Sequence, residues 1–213
     1  MTELVFILDR SGSMSGLESD TIGGFNSMIE RQKGEPGKAL VSTVLFNNRS
    51  KVIHDRILLE DVPRMTEKEY FVQGNTALLD AIGGAIHHIG SIHKYARRED
   101  VPEKTMFVIT TDGMENASHW YTYEQIHSMI RRQQERYGWE FLFLGANIDA
   151  AAEARRFGIH ESRAVNFRSD AEGTVLNYEV IGEAVRNMRG GRDLSDRWKA
   201  RIVEDYRYRG SKQ

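Results

Sequence analysis

Glu3-Leu4-Val5-Phe6-Ile7-Leu8 runs directly into Asp9-Arg10-Ser11-Gly12-Ser13, and this junction decides the fold. An apolar run without polar alternation reads as a strand buried on both faces, as in parallel sheets covered by helices. Residues 11–16 form a small polar break. A helix follows, with Ile22, Phe25 and Ile29 on one face and an end near Gly34 and Pro36. Residues 39–46 read as a second strand. Asn47-Asn48-Arg49-Ser50 is too short for a crossover but suits a tight hairpin, since Asn tolerates positive φ. Residues 51–59 are therefore expected to return antiparallel, as an edge strand.

The same alternation continues to the end of the chain. Residues 60–75 read as a loop with one short helical turn. The clearest helix carries Leu78, Ile82, Ala85, Ile86, Ile89 and Ile92, with Asn75 or Thr76 where its cap should stand. Strands are expected over 105–110, 140–144 and 165–167, and a helix over 123–137 capped by Thr122. An Ala-rich helix follows Asp149, and residues 170–189 form a last crossover helix. The expected fold is a doubly wound, Rossmann-like α/β sheet. It is mostly parallel with one antiparallel edge strand, and has helices on both faces.

The 213 residues suffice for one generous α/β domain, and 40% hydrophobic with 28% charged residues allow a sizeable core. Lys+Arg 29 against Asp+Glu 31 leave a net charge of −2, which speaks against non-specific nucleic-acid binding as the main task. With no cysteine, disulfides, thiolate catalysis and zinc–cysteine sites are excluded. No window approaches the roughly 18 apolar residues of a membrane span. A secretory signal pattern is absent as well, so a cytoplasmic protein without membrane contact is expected. Gly190-Gly191 divides a domain over 1–189 from an extension over 190–213. From Arg189 to Gln213 there are eight Lys/Arg and four Asp/Glu. Leu194, Trp198 and Ile202 are expected to pack this mildly basic helix, capped by Ser195, onto the domain.

In an open parallel sheet, ligands bind beyond the carboxyl ends of the strands, where strand order reverses. Asp9, Ser11 and Ser13 follow the first strand, Asp112 follows a later one, and Thr76 heads the strongest helix. Hydroxyls and carboxylates without His or Cys describe a site for a hard divalent cation, Mg²⁺ or Mn²⁺.

Leu8-Asp9-Arg10-Ser11-Gly12-Ser13-Met14, Gly74-Asn75-Thr76-Ala77-Leu78 and Thr111-Asp112-Gly113 together resemble the metal-ion-dependent adhesion site of von Willebrand factor A domains. The order of the three parts also fits, over about residues 2–185. The resemblance implies that Ser11 and Ser13 bind the metal directly and Thr76 directly or through water. Asp9 and Asp112 then act mostly through water or by orienting the hydroxyls. It also implies an open coordination position for an Asp or Glu of a partner protein, and likeness to small intracellular adaptors of bacteria. Neutral hydroxyls around the ion keep it electrophilic toward such a carboxylate.

Glu115, Asn116, His119, Trp120 and Tyr121 follow Asp112, and Asn147 and Asp149 follow the next strand, so these residues are candidates for a partner-binding rim. Asn147 and Asp149 also read as caps of the Ala150 helix. Other signals carry less. Asp9-x-Ser11 lacks the second acid of an aspartyl-phosphate phosphatase, and Met14 occupies the nucleophile position of Gly12-Ser13-Met14-Ser15-Gly16. Gly34-Glu35-Pro36-Gly37-Lys38 lacks the spacing of a phosphate-binding loop. His87, His88 and His93 lack zinc spacing and read as solvent-exposed, and Asp80 reads as structural at its helix start. The expected function is cation-dependent protein binding without turnover. The rivals are a metal-dependent phosphohydrolase or nucleotide-processing enzyme, and a structural subunit of a phage or bacterial assembly. Oligomeric state is left open.

Overall fold

The amino-terminal run becomes β1 (Thr2–Asp9), every residue of which is buried in the computed structural model, which describes residues 1–210. Successive side chains enter opposite cores: Leu4, Phe6 and Leu8 on one face, Val5 and Ile7 on the other. β2 (Ala39–Phe46) pairs parallel with β1 on one side, and β4 (Lys104–Thr111) pairs parallel on the other. β3 (Ser50–Leu58) runs antiparallel to β2 at one edge. β5 (Glu140–Gly145) and β6 (Ala164–Asn166) complete a six-stranded sheet in the order β3-β2-β1-β4-β5-β6. Chain order reverses between β1 and β4, so the carboxyl ends of these two strands form the cleft where such sheets bind ligands.

Helices α1 (Glu18–Lys33) and α5 (Ala171–Arg189) cover one face, through Phe25, Met28, Ile181 and Val185. Helices α2 (Leu78–Tyr95), α3 (Tyr123–Tyr137) and α4 (Ala150–Arg156) cover the other, through Ile82, Ile86, Ile126 and Ala154. The expected doubly wound sheet with one antiparallel edge strand is the architecture found. One part of the expectation is corrected: α5 follows the last strand, so it is a closing layer packed beside α1 and not a crossover.

Beyond Gly190, a 3-10 turn (Asp196–Lys199) leads into α6 (Ala200–Gly210). Leu194 and Ile202 are buried in the same core as α1 and α5, and Trp198 packs against it. Ser195 precedes the turn but its side chain makes no capping bond. Of the extension over 190–213, residues 211–213 lie outside the described residues. No described helix is long and apolar enough to cross a membrane.

Three local expectations are revised by side-chain chemistry. Glu3, inside the apolar run, is fully buried, with Arg56 Nε donating to Oε1 and His93 Nε2 bonded to Oε2. A buried charge persists only with such partners. His93 is accordingly not solvent-exposed. The hairpin between β2 and β3 forms without positive φ, which outside glycine occurs only at Arg56 (50°) and Asn147 (57°) among the described residues. Asn47 contributes through its side chain, whose Oδ1 accepts from Arg49 N at 3.1 Å.

Candidate metal centre

Asp9 ends β1 and Asp112 directly follows β4, so the sheet itself sets two carboxylates on one edge. Thr111 Oγ1 donates to Asp9 Oδ2 at 2.6 Å, bridging the two strands, and Ser11 N–H donates to Asp9 Oδ1 at 2.7 Å. Ser13 Oγ donates to Asp112 Oδ1 at 2.5 Å and lies 3.1 Å from Ser11 Oγ. Thr76 completes the group from a third loop. A carbon added to Gly113 would lie 3.6 Å from both Thr76 Oγ1 and Ser13 Oγ, so the two hydroxyls face the same bare backbone. Asp9, Ser11, Thr76 and Asp112 are buried, whereas Ser13 is exposed, and the cluster opens to solvent on that side. All five oxygen-bearing side chains expected from the sequence converge.

Burial pushes the Asp9 carboxyl above its ordinary range, partly offset by the bonds from Thr111 and Ser11, and the charge of Asp112 adds to the rise. Burial likewise raises Asp112, offset in part by Ser13 and Ser169. No Lys or Arg contributes to either balance. The adjacent Arg10 turns away, with Nη1 donating to Glu69 O at 3.1 Å and the guanidinium 4.7 Å over the Phe71 ring. Two buried acids without a counter-charge, ringed by hydroxyls, fit a hard divalent cation. The donor set is poor in carboxylates. No three His, Asp or Glu side chains gather as a metal site among the described residues.

The loops are locked together by backbone bonds. Gly12 N donates to Gly74 O, Gln73 N to Arg10 O, and Ala77 N to Asn47 O. Helix α2 lacks the expected Asn75 or Thr76 cap, because Ala77 stands at that position without a side-chain bond. Its first N–H groups are satisfied from elsewhere: Leu79 N by Glu115 Oε2, and Asp80 N by Ser118 Oγ. Capping in trans leaves the Thr76 hydroxyl for the cluster, while Asn116 Oδ1 accepts from Thr76 N at 2.9 Å.

The rim candidates divide on this evidence. Glu115 points inward, its carboxylate accepting from Leu79, Ala117 and Ser118, and is no free rim acid. Asn116 holds Thr76 by its side-chain oxygen. His119 and Trp120 are exposed, Trp120 at 82%. Asp80 is structural as expected. Its carboxylate accepts the backbone N–H groups of His119, Trp120 and Tyr121, so the exposed Trp120 stands on a fixed backbone. Asp149 caps α4 by accepting from Ala152 N at 2.9 Å. Asn147 is not a cap: it sits in the left-handed region and donates Nδ2 to Asp112 O at 3.3 Å.

Three supporting residues were not anticipated. Tyr70, fully buried in the 60–75 loop, donates its hydroxyl to Asp9 O at 2.6 Å. Thr111 stood in the quoted Thr111-Asp112-Gly113 segment, but its bond to Asp9 was not foreseen. Ser169 Oγ lies 3.4 Å from Asp112 Oδ2. Its place just after β6 was the available signal, since polar residues after strand ends converge on this edge. Tyr70, within a mixed polar segment, offered none.

No protein-family model and no curated protein sequence matches the chain. Among solved structures it is similar to proximal thread matrix protein 1 of the mussel byssus, with TM-score 0.57 and 16% identity over 87% of this chain and 46% of that one. A von Willebrand factor type A structure from Catenulispora acidiphila matches with TM-score 0.57 and 13% identity, over 87% and 43%. The mussel protein is also known with a zinc-occupied MIDAS motif, matching at TM-score 0.56 and 16% identity over 87% and 46%. At such identities the likeness is one of fold, and this chain spans less than half the length of these solved chains.

Proposed function

We propose that this von Willebrand factor A fold serves as a divalent-cation-dependent protein-binding module whose partner presents an Asp or Glu to the ion. The observation carrying the proposal is the convergence of Asp9, Ser11, Ser13, Thr76 and Asp112 around two buried, uncompensated carboxylates. When bound, the cation would supply an electrophilic position for an incoming carboxylate. Ser11, Ser13 and Thr76 would offer neutral oxygens to it, while Asp9 and Asp112 orient those groups and balance the charge. The exposed Trp120, its backbone fixed by Asp80 on the loop that follows Asp112, offers the partner an aromatic anchor. Mg²⁺ or Mn²⁺ as the ion and the cytoplasm as the compartment belong to this proposal. The mussel structure's zinc-occupied motif supports a divalent ion in general, so zinc joins the test.

A phosphohydrolase would need a general base near the ion. Glu115, the nearest acid in sequence, spends its carboxylate on the start of α2 and its own loop, which favours binding over turnover. Titration calorimetry of Mn²⁺, Mg²⁺ and Zn²⁺ into metal-free protein should give one site per chain, weakened by Asp112→Ala about 100-fold or more. A displayed library of linear peptides, selected with Mn²⁺ and counter-selected with EDTA, should then return sequences that share an indispensable Asp or Glu. Negligible heats, or EDTA-insensitive binders without an acid, would overturn the reading. Release of phosphate from simple phosphoesters with Mn²⁺ would favour the enzyme instead.

A further inference from the structure

A second concavity lies on the sheet face that carries α2 and α3, toward the far end of both helices from the metal cluster. Its volume is about 880 Å³, within the range of small-molecule sites. Helical spacing explains how it forms. Ile86, Gly90 and Lys94 recur every four residues along α2, and Met129, Arg132 and Gln133 share one face of α3. Gly90 removes the side chain that would otherwise fill the space between the helices. A carbon added there would meet only Gln133 Nε2 at 3.5 Å and the Trp139 ring at 3.9 Å. The floor is apolar and aromatic: Ile86, Pro102 and Trp139 are buried, with the His93 ring edge-on to Trp139 at 5.4 Å. Tyr121 and Tyr137 add aromatic walls.

The charge around this groove is of one sign. Lys94, Arg98 and Arg132 line it, and no Asp or Glu does. Among the described residues neither Arg98 nor Arg132 forms an ion pair, and Lys94 rests only over the Tyr95 ring. The acids beside them in sequence are committed elsewhere, Glu99 and Asp100 to Arg97, and Glu135 to Arg131. Glu3, behind His93, has both oxygens taken. Three exposed cations line an aromatic-floored cavity in which no carboxylate balances their charge. That arrangement is relieved by an anion with a flat apolar body. Guanidinium groups match phosphate oxygens better than any other side chain, and aromatic walls favour a stacked ring.

We propose that the α2–α3 groove binds an aromatic phosphate of nucleotide size, its ring over the Trp139 floor and its phosphate among Lys94, Arg98 and Arg132. The site is independent of the metal centre. The test is titration calorimetry of AMP into the whole chain with EDTA present throughout, which keeps cations off both the nucleotide and the metal cluster. Adenosine and a hexaglutamate peptide are the comparison ligands. One saturable AMP site is expected, with adenosine at least about tenfold weaker because the charged hydrogen bonds are lost. The surface charge reversal Arg98→Glu/Arg132→Glu should weaken AMP about 100-fold. Gly90→Leu, which fills the groove and improves helix propensity, should abolish binding without loss of folding. Absence of saturable binding at millimolar AMP would overturn the proposal. So would binding unchanged in Gly90→Leu, or hexaglutamate binding more tightly than AMP.

Discussion

Thr111 shows how one hydroxyl can serve a site without belonging to it. Its Oγ1 bonds Asp9 Oδ2 across the β1–β4 junction, so the Asp9 carboxylate is held from two sides, by Thr111 and by Ser11 N. Thr111→Val keeps the shape and the buried methyl but removes that donor. Metal affinity should fall about tenfold with little change in the secondary structure, as calorimetry and circular dichroism on the same sample would show. Unchanged affinity would mean that Asp9 is oriented by Ser11 alone. A different residue tests acid stability. His54 is buried, bonded to Thr43 Oγ1 and stacked on Phe25, and burial holds its imidazole below the ordinary range. The unfolded chain therefore takes up its proton first. The stability His54 contributes is full above about pH 6.5 and is lost as pH falls through its lowered native value. His54→Gln should flatten the slope of urea stability against pH in that window. At this scale the five oxygen-bearing side chains that converge were legible in the sequence, because residue type and position after a strand or at the head of a helix mark them as candidates. The sequence did not reveal Tyr70, whose role depends on a long-range bond to a carbonyl that no local pattern encodes.

Among the elements, the 115–121 loop and the first turn of α2 act as one body. Glu115 and Ser118 satisfy the helix N–H groups, and Asp80 returns the bond to three N–H groups of the loop. Asp80→Ala should cost about 1 kcal/mol in urea unfolding, since it removes the acceptor of three N–H groups, of which only that of Tyr121 is partly buried. It should also make the loop the first site of limited proteolysis. Loss of stability without loop cleavage would show that the loop is held by Glu115 instead. α6 is bound by its apolar face: Ile202 lies in the core of α1 and α5, while Arg201 pairs with Glu179 and Glu183, and Arg209 with Asp170 and Asp205. Ile202→Ala should destabilise the whole chain by about 2–4 kcal/mol in a single cooperative transition; a separate early transition would mean that α6 melts independently. Strand and helix identities were legible in the apolar periodicity, down to the Thr122 cap at the start of α3, which the structure completes with Gln125 into a capping box. The trans-capping of α2 was not. Local cap rules look only to the residues preceding a helix, and here the capping atoms come from almost forty positions away.

For the molecule as a whole, the candidate metal centre is a place where stability would be set against the proposed binding of a cation. Asp9 and Asp112 are buried without cationic partners, and burial raises both carboxyls above their ordinary range. In the metal-free protein the folded state then holds protons more tightly than the unfolded chain. The favourable contribution is complete below the ordinary carboxyl value, about pH 3.9, and is lost as pH rises through the raised native values. A divalent cation reverses the sign, because it binds the ionised carboxylates and only the folded chain gathers them. The gain in melting temperature on adding saturating Mn²⁺ should therefore be largest near pH 7.5 and shrink steadily toward pH 4.5. Asp112→Asn separates the two effects. It keeps an acceptor for the Ser13 hydroxyl while removing the uncompensated charge, so in EDTA the variant should melt above wild type at pH 7.5. With Mn²⁺ the order should invert, since wild type alone gains. If the variant melts below wild type in EDTA as well, the Asp112 charge is compensated within the fold itself, and the strain assigned to the carboxylate pair does not exist.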